Sequence, residues 1–200
     1  MYNLFLTATA INNVRDLDEI DPDSNFFDEF YDSFENFHQS SYLSVDEYNQ
    51  LSTLGEVYFT ILNYNVRSFR QNSDCFLSIF NDDYFPGVIV LSETWFSDTY
   101  QDDIPGYNGF HTFRSNRKSG GVSVFIKNYI SAKKIQALCI CNVDIEVCTV
   151  EVCLNKKALV IVSIYRPHSG TIENLISELN NVLNNSAVQG LQSSLLVILI

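Results

Sequence analysis

Two hundred residues, 46% of them hydrophobic, suffice for one globular domain with a core, or for a smaller domain with a tail. A formal net charge of −12 argues against a uniformly basic nucleic-acid binder, since neutralising phosphates supplies most non-specific affinity, but it does not exclude a local basic patch. The acidity is local: residues 1–56 hold twelve acids and one base, Arg15, a net of −11, and residues 57–200 hold twelve acids and eleven bases, a net of −1.

At the N-terminus, Leu4-Phe5-Leu6 has no basic residue before it and polar residues soon after, a poor signal peptide. Residues 12–40 interleave Asp, Asn and Ser with Phe and Tyr without a clean period, the texture of a disordered leader that folds, if at all, on a protein partner. Ser44-Val-Asp-Glu47 fits a capping box and predicts a short helix over 44–51. From residue 57 the texture changes. Strands are predicted at 57–65, 87–93, 109–114, 121–126, 134–141, 145–154 and 158–165, with an apolar helix face at 75–80. Apolar residues at 172, 175, 176, 179, 182 and 183 have helical spacing, and 195–200 reads as a further strand, far too short to span a bilayer. The order of elements is that of a layered α/β protein.

Five cysteines, four of them (Cys139, Cys141, Cys148, Cys153) in apolar segments, are expected to be reduced core residues of an intracellular protein. Their spacing fits no standard zinc pattern, and no histidine lies close by. Arg114, Arg117, Lys118 and Lys127 form a basic cluster whose plain reading is a solvated surface.

Three strand ends carry polar groups: Asn63-Tyr-Asn65-Val-Arg67, Ser92-Glu93-Thr-Trp95 and Tyr165-Arg-Pro-His168. In open α/β sheets ligands bind where strands run out into loops, and such groups can converge there. Each alone has an ordinary explanation: a turn cap for Asn65, a solvated or Arg-paired carboxylate for Glu93, a half-buried strand aromatic for Tyr165. His111 reads as a surface strand residue rather than a general base.

Taken in order, these segments, together with Gly106-Tyr-Asn and Arg114-Ser-Asn-Arg-Lys-Ser-Gly-Gly-Val122, resemble the endonuclease/exonuclease/phosphatase superfamily. Within it, Ser-Glu-Thr-Trp, the Gly-Gly strand entry and Tyr-Arg-Pro are most similar to the apurinic-type endonuclease domain of LINE-type, non-LTR retrotransposon polyproteins of the jockey or CR1 kind. The resemblance covers roughly residues 57–200. It implies a four-layer α/β sandwich, DNase I-like, of which this chain supplies the N-terminal half. It further implies Mg²⁺-dependent phosphodiester hydrolysis, with Mn²⁺ as a possible substitute, and DNA as the partner, reached in the nucleus.

By the same resemblance, Glu93 matches the metal-ligand glutamate, Asn65 the asparagine that orders metal and water, and Tyr165 the tyrosine that donates to the scissile phosphate. Arg67, Arg114 and His168 lie where phosphate contacts are reasonable by position and charge. The family continues its next strand into Gly-Asp-x-Asn and later supplies an Asp and a catalytic His. These motifs do not occur in this sequence, so the expectation is a catalytically incomplete piece of a longer protein. Two alternatives stand beside it: a phosphatase of the same superfamily acting on a phosphorylated lipid or inositol, and a non-catalytic interaction fragment whose acidic leader binds a protein.

Overall fold

The computed structural model describes residues 6–11, 41–43, 59–80, 86–115, 119–154, 157–184 and 195–199. The stretch 12–40, the helix expected over 44–51, and Arg117 and Lys118 of the basic cluster lie outside the described residues. Among the described residues, eleven strands and two helices follow in chain order: β1 (Leu6–Ile11), β2 (Ser41–Leu43), β3 (Phe59–Asn65), α1 (Phe69–Leu77), β4 (Val88–Ser92), β5 (Tyr107–Thr112), β6 (Val122–Lys127), β7 (Ser131–Lys134), β8 (Ile140–Cys141), β9 (Glu146–Leu154), β10 (Lys157–Tyr165), α2 (Ile172–Leu183) and β11 (Leu195–Leu199).

They form two sheets, β2-β1-β3-β4-β6-β5 and β11-β10-β9-β7, with β8 also paired to β9. The parallel pairs β3–β4 and β10–β11 each have a helix between their strands in the chain, as parallel neighbours require. β1 and β2 come from the acidic leader, and β1 pairs antiparallel with β3, so the first sheet extends into residues placed by charge outside the domain.

Side-chain alternation sorts the core into three slabs, and hence the molecule into four layers. Ile61, Val88, Val90, Val122, Val124 and Ile126 of the first sheet meet Cys148, Val150, Val152 and Ile161 of the second. The opposite face of the first sheet, with Leu62, Ile89, Leu91 and Phe125, packs on Phe69 and Phe76 of α1. On the outer face of the second sheet, Val147, Val160, Val162 and Ile164 pack on Leu175, Leu179 and Val182 of α2. Each fully buried Val or Leu contributes about 1.5–3 kcal/mol, so the central strands are a rigid base for whatever their ends carry.

Four expectations need correction. The first helix begins at Phe69, not near residue 75, because Phe69 reaches the core a full two turns before Phe76 and Leu77 do, while the positions between them are polar. β5 ends at Thr112, since its partner β6 begins at Val122 and the preceding glycines turn out of the ladder. The strand expected over 134–141 is broken by a 3₁₀ turn at Gln136–Leu138: Lys134 pairs with Val150 and Ile140 with Val147, so the chain between bulges away from β9. Of the cysteines, all free, only Cys148 is buried, whereas Cys75, Cys141 and Cys153 are exposed. Among the described residues no helix is long and apolar enough to cross a membrane.

Candidate functional site

Asn65 ends β3 and Glu93 follows the last residue of β4, the parallel neighbour, in a register that pairs Asn65 with Ser92. Tyr165 ends β10 in the facing sheet. The three side chains meet on one atom: Glu93 Oε1 accepts from Asn65 Nδ2 at 3.0 Å and from the Tyr165 hydroxyl at 3.1 Å. Two donors on Oε1 fix the rotation of the half-buried carboxylate and leave Oε2 without a hydrogen bond among the described residues. Asn65 is oriented in turn by Arg67 N, which donates to its Oδ1 at 3.2 Å.

The backbone around Glu93 is unusual. Among the described residues four non-glycine positions have positive φ, namely Arg67 (44°), Ser68 (82°), Glu93 (52°) and Trp95 (58°), and all lie in the loops that leave β3 and β4. Such conformations cost of order 1–3 kcal/mol each and persist only where the surroundings over-determine them. Here they do. Ser68 N donates to Glu93 O at 2.7 Å, Thr94 N to Gly121 O at 3.3 Å and Trp95 N to Gly120 O at 2.9 Å. Asn72 of α1 donates its side-chain N–H groups to the carbonyls of Val66, Arg67 and Ser68, holding the first loop shut. Gly120 and Gly121 both sit at φ 92°, and a Cβ on Gly121 would lie 2.6 Å from Thr94 Oγ1, so this turn admits only glycine without movement.

Arg114 is engaged in a buried ion pair through Nε, while its Nη1 has no hydrogen-bond partner among the described residues. Its Nε pairs with Glu146, which also accepts from Gly121 N and is fully buried. Burial pushes the Glu146 carboxyl above the ordinary range, against the lowering effects of the Gly121 N–H and Arg114, and the nearby Glu93 charge pushes the same way as burial. Arg67 is exposed and its guanidinium has no ion pair among the described residues; His168, exposed in the turn after β10, likewise holds none. His111 is half-buried. Its Nδ1 lies 2.9 Å from Ser123 Oγ, its ring packs edge-on against Phe96 and Phe125, and burial pushes its imidazolium down to about 4.

Glu146 was not singled out from the sequence, yet it carried a signal. It is in phase with Cys148, Val150 and Val152, the inward-facing positions of β9, and a carboxylate in a buried phase needs a cation or donors.

Burial, then the charge of Glu93 and the hydrogen bond to it, push the Tyr165 phenol up to about 12. An unfolded tyrosine ionises near 10, so this group's contribution to stability is complete below that pH and lost as pH rises through about 12. In an absorbance titration of the folded protein, Tyr165→Phe is expected to remove a phenol that ionises late. Removal of one that ionises near 10 would contradict the placement.

With four layers, two sheets and polar groups at one set of strand ends in place, the architecture can be compared with solved structures. The endonuclease domain of TRAS1, a telomere-specific non-LTR retrotransposon, superposes with a TM-score of 0.50 at 12% identity, covering 70% of this chain and 57% of that one. The chain has the endonuclease/exonuclease/phosphatase fold. Two other structures with this fold align less closely: the human Nocturnin catalytic domain with bound sulfate (TM-score 0.46, 16% identity, 70% of this chain and 62% of that one) and the 3′ phosphatase NExo from Neisseria bound to product DNA hairpin (0.42, 10%, 70% and 56%). The chain thus spans less than two thirds of the length of each. No protein-family model and no curated protein matches the sequence.

Proposed function

We propose that the Glu93 cluster is the metal- and phosphate-holding part of a Mg²⁺-dependent DNA endonuclease of the non-LTR retrotransposon kind. The observation that carries this reading is the convergence of Asn65 and Tyr165, from two different sheets, on one oxygen of Glu93. The fold shared with the TRAS1 endonuclease domain and the Ser-Glu-Thr-Trp and Tyr-Arg-Pro segments support the substrate class.

The donor set suits a hard ion. Mg²⁺ keeps several waters and takes one or two carboxylates plus phosphate oxygens, rather than a full protein cage. Glu93 Oε2 offers the carboxylate, and among the described residues no group of three or more His, Cys, Asp or Glu could hold an ion by itself. When bound, the ion would stabilise the charge that develops on the phosphate as the bond breaks.

The chain's own residues do the rest of the holding. Asn65 keeps Glu93 in one rotation, and its oxygen retains a second lone pair for a water or the ion. Tyr165, protonated throughout the neutral range, is a neutral donor within reach of whatever Glu93 binds. Arg67 and His168 are assigned to flanking phosphates, and Arg114, paired with Glu146 through Nε, keeps Nη1 as its donor for that role. Water activation is assigned to the Gly-Asp-x-Asn and histidine motifs of the wider family, because neither described histidine, His111 nor His168, bonds to Glu93, Asn65 or Tyr165.

The test is conversion of supercoiled plasmid to nicked circles in Mg²⁺, alongside release of phosphate from inositol phosphates. A chain extended through those motifs is expected to nick DNA, and the 200-residue chain to do so about 10²–10⁴-fold more slowly. Hydrolysis of inositol phosphates without nicking would favour a phosphatase, and neither activity in the extended chain would favour a non-catalytic role.

A further inference from the structure

We infer that Glu146 is a positioning residue for Glu93, acting through the Gly120–Gly121 turn; the inference rests on the reading of Glu93 as the ion's ligand. The route is short. Glu146 accepts from Gly121 N, while the carbonyls of Gly121 and Gly120 accept from Thr94 N and Trp95 N, the two residues that follow Glu93. Glu93 and Trp95 are both left-handed, conformations that relax unless held from outside. Ser68 N holds the loop from the β3 side by donating to Glu93 O, and the glycine turn holds it from the β6 side.

Glu146 is what fixes that turn. It is fully buried, its second partner is Arg114, and a Cβ on Gly120 would lie 2.6 Å from its Oε1 and 2.8 Å from Arg114 Nη2, so the turn is pressed directly onto the ion pair. Glu146 is also the Cα partner of Tyr165 on the β9–β10 ladder. One residue is therefore tied both to the strand that carries Tyr165 and to the loop that carries Glu93, which locks the separation of the two groups that meet at Glu93 Oε1. A buried carboxylate near a second carboxylate is an unfavourable choice for stability alone, and the tie between the two sheets gives it a purpose.

Trp95, the chain's sole tryptophan, stands two residues from Glu93 and makes its emission a reporter of ion binding there. Two double variants isolate the acceptor. Arg114→Leu with Glu146→Gln removes both charges but keeps an oxygen for Gly121 N, and Arg114→Leu with Glu146→Leu removes both charges and the oxygen. Mg²⁺ titrations followed by Trp95 emission are expected to show the Gln form within a few-fold of the parent protein and the Leu form about 10–100-fold weaker, the range seen when groups that orient a metal ligand are lost. Equal affinity in the two forms would overturn the inference.

Should either double variant fail to fold, Glu146→Asp keeps the charge but draws the carboxylate back from Gly121 N, and it is expected to weaken Mg²⁺ binding with the charge balance intact. Unchanged affinity in Glu146→Asp would likewise overturn the positioning role. Glu93→Gln separates the ion's ligand from the residue that positions it. A Trp95 response that survives Glu93→Gln overturns the site reading and this inference together. A response lost in Glu93→Gln but equal in the Glu146 variants overturns the inference alone.

Discussion

Glu93→Gln is expected to remove ion-dependent nicking in the extended chain, by about 10³-fold or more, while leaving the fold intact. Gln retains Oε1, so Asn65 Nδ2 and the Tyr165 hydroxyl keep their acceptor. What is lost is the charge, and an ion's contribution to a developing phosphate charge is several kcal/mol, each about 1.4 kcal/mol being tenfold in rate. Stability should hold or rise, since the neutral amide no longer repels the buried Glu146. Activity lost together with the unfolding transition would mean that Glu93 is a structural residue, and activity unchanged would remove the metal role.

Arg114→Ala has the largest expected effect on stability. It leaves the fully buried Glu146 facing Gly121 N and no cation, and breaking a buried pair in this way costs about 3–5 kcal/mol. The sign of its pH dependence follows from the direction of the Glu146 shift. A carboxyl whose folded-state pKa is raised binds its proton more tightly when folded, so its contribution favours folding at low pH and is lost as pH rises through the folded pKa. Removing Arg114 takes away one of the influences that lower that pKa. The deficit of Arg114→Ala against the parent protein is therefore expected to be greatest at neutral pH and to shrink under mild acid. Urea unfolding at two pH values checks it: a deficit that grows on acidification would contradict the buried pairing.

Much of the candidate site was legible because each of its converging residues closes a β-branched or apolar run. A strand buried on both faces, such as Val88–Ser92, gives its terminal carboxylate few destinations, and the same logic marked Asn65 and Tyr165. Their meeting on one oxygen was not legible. It depends on two sheets packing through Val90, Val124, Val150 and Ile161, contacts between residues distant in sequence. The ion pair of Arg114 was not legible for the same reason: its partner Glu146 lies 32 residues on, and a basic cluster read locally looks like a solvated surface. The start of α1 was hidden because its middle is polar and Phe69 lies seven residues before Phe76, the next fully buried position. The addition of β1 and β2 to the first sheet was hidden as well, since charge, not pairing, set the apparent boundary near residue 56.

Mn²⁺-induced broadening of amide resonances tests the metal assignment most directly. With substoichiometric Mn²⁺ the amides of residues 65–68, 93–95 and 165 are expected to broaden first, and Glu93→Gln to abolish the effect. The acidic leader offers the ion a competing target, with eleven more acids than bases in residues 1–56. Broadening centred on the leader, with residues 65, 93 and 165 spared, would contradict a metal site at Glu93.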